Sequence, residues 1–145
     1  MLGKMNADEM EQLLLRGTIG RIGCAAEGRV YVVPITYAYD GKCVVAHSAD
    51  GLKVRTMRAS PAVCYEVEEV VDLAHWACVV AQGTYEELRG ADEERAEALL
   101  RSRFGSTVTS ETALRHPRFD GVAQPVSRTT LFQIRLTEKT GRFER

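Results

Sequence analysis

The apolar positions change period early in the chain. Met10, Leu13 and Leu14 recur at helical spacing behind Asn6-Ala7-Asp8-Glu9. Asn6 can cap there, and Glu9, three residues on, completes a variant of the capping box. Gly17 closes this helix. From Thr18 the spacing falls to two: Thr18–Ala25 alternates as a strand, with small residues on one side. Glu27-Gly28 turns the chain, and Arg29–Tyr39, rich in Val, Ile, Tyr and Thr, reads as a long strand. Pro34 interrupts it. Proline cannot donate to a ladder, so it marks an edge, a bulge or backbone that must face something else. Asp40-Gly41 is a hairpin signal, and Lys42–His47 returns as the next strand.

Ser48-Ala49-Asp50-Gly51 breaks the pattern. Leu52–Ala59 reads as a short helix carrying Lys53, Arg55 and Arg58, the two arginines read as solvated or interface charges, and Ser60-Pro61 stops it. Ala62–Val71 and Trp76–Leu88 are strands, the second with a bulge or bend at Gly83. Gly90 to Glu94 opens a helix with acids in its first turn, where they favour the dipole. Its apolar side is Ala96, Leu99, Leu100 and Phe104. Gly105–Gln124 is irregular, apart from a helical turn near Arg115–Phe119, and Thr129–Thr137 is the last strand. The sum is mainly β (α+β), a six-stranded antiparallel barrel in mostly meander order with peripheral helices. Residues 1–145 read as a single domain, without repeats or the strand–helix alternation of a Rossmann fold.

Composition narrows the partners. With 145 residues, 45% of them hydrophobic, the chain can bury a real core within one domain. A formal net charge of -1 and a pI near 6.3 supply no one-signed field for nucleic acid or anionic lipid. None of Cys24, Cys43, Cys64 and Cys78 sits in a CxxC pair, so a zinc knuckle is not expected and buried reduced thiols are. Glu66 and Glu68 share a strand face but have no His or Cys at metal spacing. No apolar run approaches the ~20 residues of a membrane span, and Met1–Asn6 lacks a signal-peptide core. A soluble, cytoplasmic protein without metal is expected.

The chemistry concentrates between Val32 and Pro61. A strand ends in His47-Ser48, with a hydroxyl donor. A glycine-containing turn follows, where backbone can approach an anion, and a helix then begins near Lys53. Upstream, Val33–Thr36, freed from regular pairing by Pro34, could offer backbone groups to a flat ring. The run Val33-Pro34-Ile35, Tyr39-Asp40-Gly41, His47-Ser48-Ala49, Gly51-Leu52-Lys53, Arg58-Ala59-Ser60-Pro61 and Val63-Cys64-Tyr65-Glu66-Val67 resembles the flavin-binding segment of the pyridoxamine 5'-phosphate oxidase-like superfamily. Its nearest likeness is to the nitroimidazole-resistance (Nim-type) branch. The likeness covers about Met10 to Leu100, with a weaker echo at Thr130–Glu144.

That resemblance implies a split β-barrel homodimer with FMN at each of two subunit interfaces. It places Ser48 and Lys53 at the FMN phosphate and Val33, Pro34, Ile35 and Thr36 along the isoalloxazine ring. His47 lies near the ring or ribityl chain, at the active centre, and Trp76 and Cys78 begin the strand that faces the neighbouring subunit's flavin. It implies an FMN-dependent oxidoreductase that passes electrons from NAD(P)H to a small acceptor such as a nitroaromatic. A non-catalytic carrier of flavin, F420 or haem, and an interaction protein with an empty site, are the competing readings. The chain departs from true pyridoxamine-phosphate oxidases in lacking their arginine-rich C-terminal motif, and it carries Leu52-Lys53 where an Arg-Lys pair is frequent.

Overall fold

The computed structural model describes residues 1–105 and 129–145. The helical turn expected near Arg115–Phe119 lies outside the described residues. The elements run β1 (Leu2–Lys4), α1 (Ala7–Arg16), β2 (Ile19–Ala26), β3 (Arg29–Thr36), β4 (Ala38–Tyr39), β5 (Cys43–Ala49), α2 (Leu52–Ala59), β6 (Ala62–Asp72), β7 (His75–Glu87), α3 (Ala91–Phe104) and β8 (Thr129–Glu144). The strands form one antiparallel sheet in the order β3-β2-β6-β7-β8-β5-β4, with β1 added along β8. This path is not closed by hydrogen bonds. Yet its two ends, β3 and β4, are consecutive in the chain and separated only by Tyr37. The sheet therefore curls until its edges meet at one residue, which is the split-barrel architecture expected.

Among the described residues eight strands replace the expected six. Leu2–Lys4 pairs with the end of β8, a contact too distant in sequence for periodicity to reveal. Tyr37 divides the Arg29–Tyr39 run in two because its amide turns to the Thr18 carbonyl (3.1 Å). The last strand continues past Thr137 to Glu144, although its apolar alternation fades, because Trp76–Gln82 pairs with it. Pro34 does sit on an edge strand, opposite Arg21. Gly83 stands at a register shift between β7 and β8. In the Asp40-Gly41 turn the Asp40 Oδ1 accepts from the Lys42 and Cys43 amides (2.8 and 2.7 Å), and Gly41 takes a φ of 96°.

Helix α1 plugs the barrel. Its capping box is complete: the Glu9 amide donates to Asn6 Oδ1 and the Asn6 amide to Glu9 Oε2, both at 2.9 Å. Leu13 and Leu14 are buried against Ile22, Tyr37, Tyr65, Phe132 and Ile134. Tyr37 packs edge-on against Tyr65 with ring centroids 5.3 Å apart, and its hydroxyl donates to the Leu14 carbonyl at 2.7 Å. Gly20 lies against the Tyr65 ring so closely that any side chain there would overlap it. Helix α3 covers the other side of the sheet, where Ala96 and Leu100 pack on Ala38, Val45, Leu88 and Leu131, with Leu99 and Phe104 alongside. Among the described residues no helix is long and apolar enough to cross a membrane.

Candidate functional site

The end of β5 and the start of α2 bring together three of the residues singled out in the sequence. Alternation along β5 sends Ser48 to the core face with Val44 and Ala46, and half-buried His47 to the opposite face with Val45. The Ser48 hydroxyl is 1% exposed and donates to the Ala49 carbonyl at 3.0 Å, so it is part of the turn. Gly51 then caps α2 in extended backbone, with no side-chain acceptor for the helix's first amides and no acid in the first turn. Among the described residues a Cβ at Gly51 would meet only the Ala49 carbonyl oxygen, at 3.9 Å. Lys53, half-buried, stands in the same turn. Burial raises the Cys24 thiol on β2, and the nearby Lys53 charge opposes that rise. A helix start with no side-chain cap among the described residues, its positive dipole end and an ammonium together suit an anion.

The second half of the site is the β3 edge. β4 pairs with β5 only at Ala38↔Val45 and Tyr39↔Val44. Beyond Tyr37 the chain leaves β5 and follows β2 instead, from Thr36↔Ile19 to Arg29↔Ala26. The backbone pairing therefore parts between Val33–Thr36 and the His47–Ala49 end of β5, and this parting is the candidate crevice. Ile35 is buried, Val33 and Thr36 are half-buried and Pro34 is exposed. Pro34 removes one amide from an edge that has no further strand among the described residues, so the remaining backbone groups there can face a ligand. An anion-binding helix end beside a partly apolar open edge fits a planar ligand with a phosphate tail.

Trp76 and Cys78 do not join this crevice within one chain. They lie on β7, with β6 and β2 between them and β3, roughly 14 Å away at ~4.8 Å per strand. On this outer sheet face the Cys78 thiol donates to Glu66 Oε1 at 3.3 Å. Arg21, the partner of Pro34 across the β2–β3 pair, reaches Glu66 Oε2 at 3.2 Å and Glu68 Oε1 at 3.1 Å. Burial first, then the Glu66 bond, pushes the Cys78 thiol up to about 12, and burial likewise raises Cys24, Cys43 and Cys64. None is a thiolate nucleophile near neutral pH. Among the described residues no group of three or more His, Cys, Asp or Glu could hold a metal ion.

Two features escaped the sequence reading. Arg21, Glu66 and Cys78 form a network whose members sit on three strands. Arg58, read as a solvated or interface charge, clamps α2 within the chain: Nε donates to Glu87, Nη1 to Asp50 at 3.3 Å and Nη2 to Thr130 at 3.5 Å. It fixes the far end of the helix whose near end is the candidate anion site.

The sequence profile for pyridoxamine 5'-phosphate oxidase matches residues 6–143. An uncharacterized protein of Rhizobium meliloti is 33% identical over 97 residues, 65% of this chain and 64% of that protein, so the match spans less than two thirds of the relative. The structure of an FAD-binding protein from Mesorhizobium loti superposes with a TM-score of 0.78 and 29% identity, over 100% of this chain and 99% of its own. A structure assigned to 5-nitroimidazole antibiotic resistance in Bacteroides thetaiotaomicron gives a TM-score of 0.72 at 15% identity, over 99% and 87%. At that identity the likeness concerns the fold alone.

Proposed function

The chain belongs to the pyridoxamine 5'-phosphate oxidase family, matched from residue 6 to 143, and on that premise we propose that it is a flavin-dependent oxidoreductase holding FMN between two copies of itself. One observation carries the reading: α2 begins at Gly51 with no side-chain cap among the described residues, directly after the end of β5 where the pairing with the β3–β4 run parts. Lys53 and the first α2 amides hold the phosphate, and Ser48 supplies a hydroxyl beside them. The backbone of Val33, Pro34, Ile35 and Thr36 borders the ring, and His47 stands near the ring or ribityl chain as the active-centre side chain. The second copy brings its Trp76 and Cys78 over the ring, which one chain alone cannot do. The flavin supplies reversible electron and hydride transfer. The protein orients it, excludes water and admits the donor, NAD(P)H, and a small acceptor such as a nitroaromatic. The name of the Mesorhizobium relative makes FAD the competing flavin.

The test is the identity of what co-purifies. The expected protein shows visible flavin absorbance, releases FMN on denaturation, is bleached anaerobically by NAD(P)H and regains colour with a nitroaromatic. It sediments as a dimer. Released FAD replaces FMN. Bound flavin that no donor reduces supports a carrier, as does bound F420 or haem. A colourless monomer that ignores added FMN sinks the proposal.

A further inference from the structure

The short first strand creates a charge arrangement that the fold alone does not explain. Lys4 stands opposite Arg142, Arg142 opposite Cys78, and Cys78 opposite Glu68, so one row crosses β1, β8, β7 and β6. Opposed residues in antiparallel pairs point to the same side of the sheet. The neighbouring pair Ala77 and Phe143 lies on the other side, where with Met5 it lines a cavity beneath α1. Lys4 and Arg142 therefore share the outer face with Cys78. Like charges directly opposite, with Cβ atoms ~5 Å apart, destabilise a strand pair. Neither cation has an ion pair or hydrogen bond from its side chain to a described residue. Glu68 is engaged by Arg21 at 3.1 Å, and Glu144, on the same face, stands opposite Trp76 rather than Arg142.

We propose that Lys4 and Arg142 form an anion-receiving point that takes the phosphate or carboxylate of the reactant meeting the flavin. This rests on the preceding reading, because there the Trp76–Cys78 end of β7 faces the twin subunit's cofactor. A bound anion would turn a repulsive pair into two charge-assisted contacts and would anchor the reactant at a fixed distance along the row from Cys78. Both residues position and select. Neither touches the reacting atoms.

The test compares native protein with Arg142→Glu and Lys4→Glu, using NADPH as the phosphate-bearing donor and para-nitrobenzoate against the uncharged para-nitrobenzamide as acceptors. The expected result is a KM raised about tenfold or more for NADPH or for para-nitrobenzoate, the size of one lost charge-assisted hydrogen bond, with kcat changed less than about twofold. Para-nitrobenzamide and the FMN titration stay at native values. An effect on NADPH identifies a phosphate, and an effect on para-nitrobenzoate a carboxylate. Calorimetric titration with inorganic phosphate and with benzoate gives a second readout that needs no flavin. The native chain binds one of them, and Arg142→Glu binds it about tenfold more weakly. Unchanged KM values and titrations overturn the proposal, as does dissociation of the dimer by Arg142→Glu, which would give the cations to carboxylates of the second copy. A protein that binds no flavin defeats the preceding reading, while the two anion titrations still decide this one.

Discussion

Removing one oxygen atom, by Tyr37→Phe, tests how the barrel plug is held. The C-terminal carbonyls of α1 have few helical donors left to them. The Gly17 amide serves Leu13 at 3.0 Å and Arg103 serves Arg16 at 2.7 Å, while the Tyr37 hydroxyl serves Leu14 at 2.7 Å. Tyr37 is fully buried, so no water replaces the hydroxyl. A net hydrogen bond is worth about 1 kcal/mol, and leaving the buried carbonyl unsatisfied raises the cost to as much as about 3 kcal/mol. Tyr37→Phe should therefore lower unfolding free energy by about 2–3 kcal/mol in urea titrations at neutral pH, with the slope unchanged. Burial also raises the Tyr37 phenol to about 12. The folded state holds that proton longer than the unfolded chain, whose phenol releases it near pH 10. Native stability is then undiminished below about pH 10 and falls as pH climbs toward 12, and Tyr37→Phe should lose less over that window. A variant within about 0.5 kcal/mol of native, or one with the native alkaline decline, would show that Leu14 is satisfied otherwise and refute the account.

Three further outcomes follow from named contacts. Lys53→Ala should weaken FMN binding by about 1–3 kcal/mol in a fluorescence titration while leaving the urea midpoint near native, and an unchanged Kd removes Lys53 from the phosphate role. Gly20→Ala drives a methyl into the Tyr65 ring, which Tyr37 prevents from retreating, and should cost about 1–3 kcal/mol by thermal unfolding. A native melting curve would show that the ring can yield. Arg58→Ala releases Glu87, whose carboxyl is held low chiefly by the Arg58 bond. A depressed carboxylate adds stability above its unfolded value, near 4.3, and loses it as pH falls. The variant's acid decline should therefore be shallower than the native one, as urea midpoints at neutral and acidic pH would show.

Much of the architecture could be read along the chain because its signals are local. Asn6 and Glu9 announce α1, Asp40-Gly41 announces its turn, and Ala96 and Leu100 sit where the helical stripe puts them. Strand ends were harder. Leu2–Lys4 is too short to show a period, and Glu138-Lys139-Thr140 breaks the alternation inside a strand that pairing with β7 maintains. The His47–Lys53 half of the crevice was legible for the same local reason, since a strand end, a glycine and a helix start are contiguous. Arg21 was not, because Glu66 and Glu68 lie 45 and 47 residues away in sequence. Arg58 was missed likewise, its Glu87 acceptor being 29 residues on. Such partners are chosen by the register of strands, which no single segment encodes.

The position of β3 at the rim of the sheet has a consequence for handling the protein. Val30 and Val32 are 80% and 60% exposed on a strand whose outer backbone groups have no strand beside them among the described residues. Pro34 blunts that rim on the crevice side only, and the Arg29–Val32 half keeps the flat, apolar character that templates unwanted strand addition. Self-association of concentrated samples should begin there. A lysine at position 30 or 32 is the economical way to suppress it, because neither side chain belongs to the core.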